Sequence, residues 1–266
     1  MQNSSSKMES YLKTVGVIGI CVVLNLMGTQ RLLEIQSAKK SSEIGTPVLA
    51  NKEILAKAPS FAEALISGPE LLSRLRKGGL LVFVRHFHTT VEAERNDLRN
   101  TEHAKLSLVD FQDCGWQRVL SEYGRQRARA VGAALAKLKV GAGEVFSSPY
   151  CRASESAKLI FSRDAKMSLS LLYAKASYTR EKLDSFFKEL LSEPITAGQN
   201  SYVVLHKDAF DFLAGIVEGE AVVLERFVNA PPKVIARIKP HEWTESLTNP
   251  ELLGLEAASG YKSADK

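Results

Sequence analysis

The segment "LLVFVRHFHTT" (residues 80–90) runs five apolar residues straight into Arg85-His86, with His88 two positions on. A fully apolar run of this length is a buried strand of the kind found inside parallel sheets. Ending it on a guanidinium and an imidazole is either an ordinary strand end meeting solvent or the delivery of an anion clamp and a nucleophile to one spot. Two later stretches behave the same way. "EVFSS" (144–148) is a strand that runs into Ser148, Pro149 and Arg152, and "SYVVL" (201–205) is a strand that ends on His206. Ligands of parallel sheets sit beyond the carboxyl ends of strands. Arg85, His86, Ser148, Arg152 and His206 therefore fall where such an architecture builds a site.

The elements that would position them alternate. "GRQRARAVGAALAKL" (124–138) carries Ala128, Val131, Leu135 and Leu138 on one helical face. Ser148 and Pro149 suit the start of a helix through "CRASESAKLIF". Its first turn would add backbone N–H donors next to Arg152. "TREKLDSFFKELL" (179–191) is a helix with Leu183, Phe186, Phe187 and Leu190 on one side. Helices are also expected within 60–79, on both sides of a Gly-Pro break, and over "DAFDFLAGIVEG" after His206. A short strand is expected near Leu169–Leu172, and "EAVVLERF" and "KVIARI" read as a hairpin. This order predicts an α/β fold, a three-layer αβα sandwich with a mostly parallel sheet.

The 266 residues hold 45% hydrophobic and 24% charged side chains, ordinary values for a globular core. The net charge of +5 suits an anionic ligand. With no block of Lys/Arg and no aromatic-basic interleaving, it does not suggest nucleic acid. Thr14–Gly28 is uncharged and follows Lys7 and Lys13, the pattern of a signal peptide or membrane anchor over 1–28. It is short against the roughly 20 apolar residues of a spanning helix. Residues 29–59 read as a linker, 60–245 as the main folded domain and 246–266 as a polar tail. The domain is expected to be exported, periplasmic or anchored to the membrane by residues 14–28. Of the three cysteines, Cys114 and Cys151 remain for the exported part. They read equally as a disulfide and as two buried thiols.

"VRHFHT", "LSEYGRQRARAVGAAL", "VFSSPYCRASESAKLIF" and "VVLHKDAF", in this order, resemble the histidine phosphatase superfamily, which includes phosphoglycerate mutase-like enzymes. "DFQDCGWQRVLSEYGR" with "SSPYCRA" is similar to an exported bacterial branch of it. The resemblance implies a phosphatase without cofactor or metal, acting on a phosphorylated small molecule or protein. His86 would form a phosphohistidine, Arg85 and Arg152 would hold phosphoryl oxygens, and His206 would be the second histidine. Thr89 matches the family's hydroxyl position, and His88 and Ser148 are further candidates for substrate contact. Phe87 stands where the family commonly has Gly, and is expected to pack inward. A proton donor to the leaving group is also needed. Asp113 and Glu92, in the long polar loop after the nucleophile, are the expected candidates, because Lys207 displaces Asp208 from the position that follows the second histidine. The short stretch between Arg152 and His206 favours a small phosphatase over a mutase.

Two other readings remain. His86-x-His88 with His103, His206 or Asp208 could hold a metal for a hydrolase, although Arg85 beside a dication would be costly. The domain could also bind phosphorylated ligands without turnover.

Overall fold

The computed structural model describes residues 59–62, 64–90, 107–172, 177–194, 196–207, 209–227 and 230–260. The expected leader and, Pro59 apart, the expected linker lie outside them, as do Glu92, His103 and Asp208. Among the described residues no helix is long and apolar enough to cross a membrane.

Among the described residues seven strands form one sheet. They are β1 (Ser60–Phe61), β2 (Leu81–Arg85), β3 (Gly141–Ser147), β4 (Lys166–Met167), β5 (Gln199–Leu205), β6 (Ala221–Glu225) and β7 (Lys233–Ile238), in the spatial order β1-β7-β6-β2-β5-β3-β4. Neighbours pair in parallel except β2 with β6 and β6 with β7. The antiparallel β6–β7 pair is the expected hairpin. The helices are α1 (Gly68–Lys77), α2 (Glu122–Lys137), α3 (Cys151–Phe161), α4 (Ser177–Ser192), α5 (Pro240–Glu245) and α6 (Leu255–Gly260).

Alternation along the central strands makes the layers. Val82, Val84, Tyr202, Val204 and Val223 join one buried cluster with Val131 and Leu135 of α2, Ile160 of α3 and Trp243 of α5. Their neighbours Leu81, Phe83, Val203, Leu205 and Val222 join a second cluster with Leu183, Phe186, Phe187 and Leu190 of α4. Successive side chains of a strand point to opposite faces, so the sheet is covered on both sides, and the three layers expected from the sequence are present. Each buried Leu or Phe contributes roughly 1.5–3 kcal/mol.

Four local expectations are corrected. Residues 60–62 and 64–66 are not helical. Ser60 and Ala62 donate backbone hydrogen bonds to Pro232 and Val234, and this docking on the edge of β7 overrides helical propensity. The helix expected after His206 is replaced by a 3-10 turn, Asp211–Leu213, and two glycines at positive φ, Gly215 and Gly219. A 3-10 turn, Leu169–Leu171, stands where a strand was expected, just past the two-residue β4. The carboxyl-terminal stretch is folded through residue 260: Leu253 is fully buried, and α6 follows it.

Candidate active site

β2, β5 and β3 are adjacent and parallel, with Arg85 paired to Leu205 and Val204 to Ser147. Their carboxyl ends therefore open at one edge, and the chain leaves each of them into the same place. The His86 N–H donates to the Leu205 carbonyl (3.0 Å) and the Ser148 N–H to the Val204 carbonyl (2.9 Å), which extends the ladder by one residue on both sides of His206. The turn after Arg85-His86 is closed by Gly219, whose N–H donates to both carbonyls at 3.1 and 3.2 Å. Gly219 has φ +78°, and a Cβ there would stand 2.7 Å from the Phe87 ring. Phe87 packs into the core, as expected.

At this edge is a cavity of about 210 Å³ lined by Arg85, His86, Arg118, Arg152, His206 and Lys207. The four residues to which the sequence assigned the chemistry thus meet in one hollow. The imidazoles of His86 and His206 are 5.3 Å apart between ring centres, edge to face. Arg152, in the first turn of α3, lies over the Tyr150 ring at 4.4 Å, and that ring meets His206 edge-on at 5.2 Å. Arg85 donates to the Ile216 carbonyl (2.9 Å) and stands 3.5 Å from Glu218.

His86 Nδ1 is 2.8 Å from the Phe87 carbonyl oxygen. A carbonyl only accepts, so Nδ1 carries the proton and Nε2 keeps its lone pair. Burial, with Arg152, Arg85 and Arg118 adding to it, holds the His86 pKa down to about 3 against the opposing Phe87 hydrogen bond. His206 is held well below its ordinary range by burial and then by Arg152, His86 and Arg85. Both rings are therefore neutral at pH 7, the state a nucleophilic imidazole requires.

The other expected site residues act elsewhere or at one remove. Ser148 is buried, with Oγ 3.0 Å from His206 Nε2, so it orients that ring. It does not cap α3, whose N-cap is Tyr150. The first N–H of α3, from Cys151, is taken by the Gln117 side chain at 2.8 Å. The expected cradle of helix N–H groups thus has one donor already engaged. Thr89 is buried and accepts a hydrogen bond from Arg118. His88 is exposed, does not line the cavity, and pairs its Nδ1 with Ser121 Oγ at 2.7 Å. His86 and His88 therefore do not converge as metal ligands, and no cluster of three metal-ligating side chains occurs among the described residues. Asp113 is a cap: its Oδ1 accepts from the Gly115 N–H at 2.8 Å, and it does not line the cavity. Cys114 and Cys151 are joined as a disulfide.

Arg118 and Lys207 are cavity residues that sequence reasoning missed. For Arg118 the signal was its place in "DCGWQR", four residues past a cysteine that bonds the neighbour of Arg152.

No protein-family model matches the chain, and no curated protein matches it. The solved structures to which it is similar are members of the histidine phosphatase superfamily. The protein histidine phosphatase SixA complexed with tungstate is 13% identical over 61% of this chain and 97% of that one, with a TM-score of 0.45. A putative alpha-ribazole-5'-P phosphatase from Escherichia coli is 15% identical over 59% and 96%, at 0.41. A phosphoserine phosphatase mutant from Entamoeba histolytica, in complex with phosphoserine, is 13% identical over 59% and 95%, at 0.40.

Proposed function

We propose that this protein is a phosphatase that hydrolyses a phosphomonoester, or a phosphorylated protein side chain, through a phosphohistidine on His86. One observation carries the reading. A neutral imidazole with its proton fixed on Nδ1 stands in a small hollow beside Arg85, Arg118 and Arg152. Guanidinium forks bind phosphoryl oxygens bidentately and stay charged at every working pH. They would draw the ester in and neutralise the charge on its outer oxygens.

The Nε2 lone pair attacks phosphorus while the bond to the leaving oxygen breaks. That oxygen takes a proton from solvent and leaves as an alcohol. Water then attacks phosphorus, the N–P bond breaks, its electron pair returns to Nε2, and inorganic phosphate departs. His206, neutral and oriented by Ser148, can donate or accept a hydrogen bond at a phosphoryl oxygen without adding a charge. The chemistry asks for no cofactor. Preorganised donors of this kind are each worth roughly 3–4 kcal/mol in the transition state. Both the disulfide and the uncharged stretch 14–28 support an exported enzyme working in an oxidising compartment.

His86→Ala tests the reading. Enzyme quenched during turnover of an aryl phosphate is expected to carry acid-labile phosphate on His86. The alanine variant should carry none and lose at least about a thousandfold in rate. Hydrolysis by the variant at the wild-type rate would overturn the assignment.

A further inference from the structure

Arg118 reaches the cavity from a segment with no regular element of its own, between the 3-10 turn Cys114–Trp116 and the single bridge at Leu120. Three attachments hold it. Thr89, buried and bridged to Leu120, accepts a hydrogen bond from the Arg118 guanidinium. Gln117, also buried, donates to the carbonyls of Phe111 (3.0 Å) and Asp113 (3.1 Å) and accepts from the Cys151 N–H (2.8 Å). Cys114 is bonded to Cys151, the residue next to Arg152. The segment is thus stapled, covalently and through Gln117, to the start of the helix that carries Arg152. The Arg118 Nε is buried and has no hydrogen-bond partner among the described residues. A buried donor left unpaired is costly, and that cost is relieved when an acceptor arrives.

We infer that Arg118 is a third substrate-binding arginine of the phosphoryl pocket, and that the Cys114–Cys151 disulfide and Gln117 are the device that positions it. This deepens the phosphatase reading and rests on it. An arginine on a loop gives up rotamer and backbone freedom when it is fixed on a ligand. Fixing the loop beforehand removes part of that cost from binding. The affinity of the pocket for a phosphate dianion therefore depends on the disulfide. A dithiol reductant delivers two electrons and two protons to the two sulfurs, closes to its own disulfide, and leaves two thiols. Arg118 is then held by Thr89 and Gln117 alone.

Calorimetric titration of the full chain with inorganic phosphate tests this. Arg118→Ala should weaken binding about tenfold to a hundredfold, the worth of a charge-assisted hydrogen bond. Arg118→Lys should recover only part of it, since an ammonium lacks the fork. Dithiol treatment of the wild type should weaken binding several-fold, and should do little more to Arg118→Ala. Gln117→Ala should likewise weaken the wild type but not the Arg118→Ala variant. Wild-type affinity in Arg118→Ala would overturn the inference. So would an equal loss on reduction with and without Arg118, which would mean general loosening. His86→Ala separates the two ideas. If it still turns over substrate, the phosphohistidine mechanism falls while phosphate binding at Arg118 stands.

Discussion

Two charged clusters lie along one edge of the sheet. Val84, Ala221 and Ile238 form one row across β2, β6 and β7, so Arg85-His86 and Lys239 leave the sheet on the same side, two strands apart. Around Lys239 the signs are matched. Glu242 is buried and accepts from the Lys239 N–H (2.6 Å) and the Glu256 N–H (3.0 Å). Glu256 pairs with Lys239 and with His241, and the buried Glu220 pairs with Arg237 at 2.6 Å. Around His86 the cavity lining carries three guanidiniums and an ammonium, and Glu218, outside that lining, stands 3.5 Å from Arg85. The same edge, built from the same kinds of residue, thus has a closed end of ion pairs around buried carboxylates and an open end, a hollow lined by cations and imidazoles. Under the proposed function the open end is where an anion binds and the closed end is scaffold.

The largest expected break in that contrast comes from Arg152→Ala. It should lower kcat/KM for an aryl phosphate by roughly a hundredfold to a thousandfold, as the loss of a preorganised transition-state donor does. Its stability, read by urea unfolding, should not fall in proportion, because the change also removes a cation that lies beside two others. A variant that unfolds as easily as it loses activity would make Arg152 scaffold like Glu242, and the contrast would fail.

Acid sharpens the comparison next. His86 is depressed from 6.5 to about 3 in the folded chain, so between those values the unfolded chain binds more protons. Its contribution to stability is present above about pH 6.5 and is lost as pH falls, with His206 shifted in the same direction. The limit is about 1.4 kcal/mol per pH unit for each ring. Glu242 has the opposite sign: burial raises its pKa, so its contribution is present at low pH and is lost as pH rises through the raised value. Urea unfolding at pH 7 and pH 5 should show wild type losing stability on acidification, and His86→Asn losing less. Phosphate should flatten the wild-type slope, because a bound anion favours the imidazolium. Equal slopes for wild type and His86→Asn would place the His86 ring in water.

The open end was far more legible in the sequence than the closed one. Strands that end on Arg85-His86, Ser148 and His206 announce themselves, since an apolar run is a strong local signal and its last residue has a defined place. Arg118 is silent because what places it is a partner 29 residues back, Thr89, and a disulfide to position 151. The stretch 246–266 reads as a polar tail because, among its described residues, Leu253 is the one large apolar side chain that is buried. Its other contacts are small alanines, Ala257 and Ala258, against the second cluster and polar pairs through Glu256, neither of which composition distinguishes from solvated side chains. The helix expected after His206 shows the reverse error. Phe210, Phe212, Leu213 and Ile216 are all buried, as a helical face would be, but the chain turns at Gly215 and Gly219 to return to Arg85.

Within the closed cluster the two carboxylates should separate, and this is the smallest effect. Glu242→Ala leaves the N–H groups of Lys239 and Glu256 without the acceptor they share. Unsatisfied buried donors cost about 1–3 kcal/mol, so a clear fall in unfolding free energy is expected, with kcat for an aryl phosphate unchanged. Glu256→Gln removes a charge that faces water between Lys239 and His241. Surface pairs contribute little because solvent screens them and two long side chains must be held still. Its effect should be smaller than that of Glu242→Ala and should shrink further in high salt. If Glu256→Gln proves the more damaging of the two, the closed cluster is held by its outer pair rather than by the backbone donors on Glu242, and matched charge, not buried hydrogen bonding, is what closes that end of the edge.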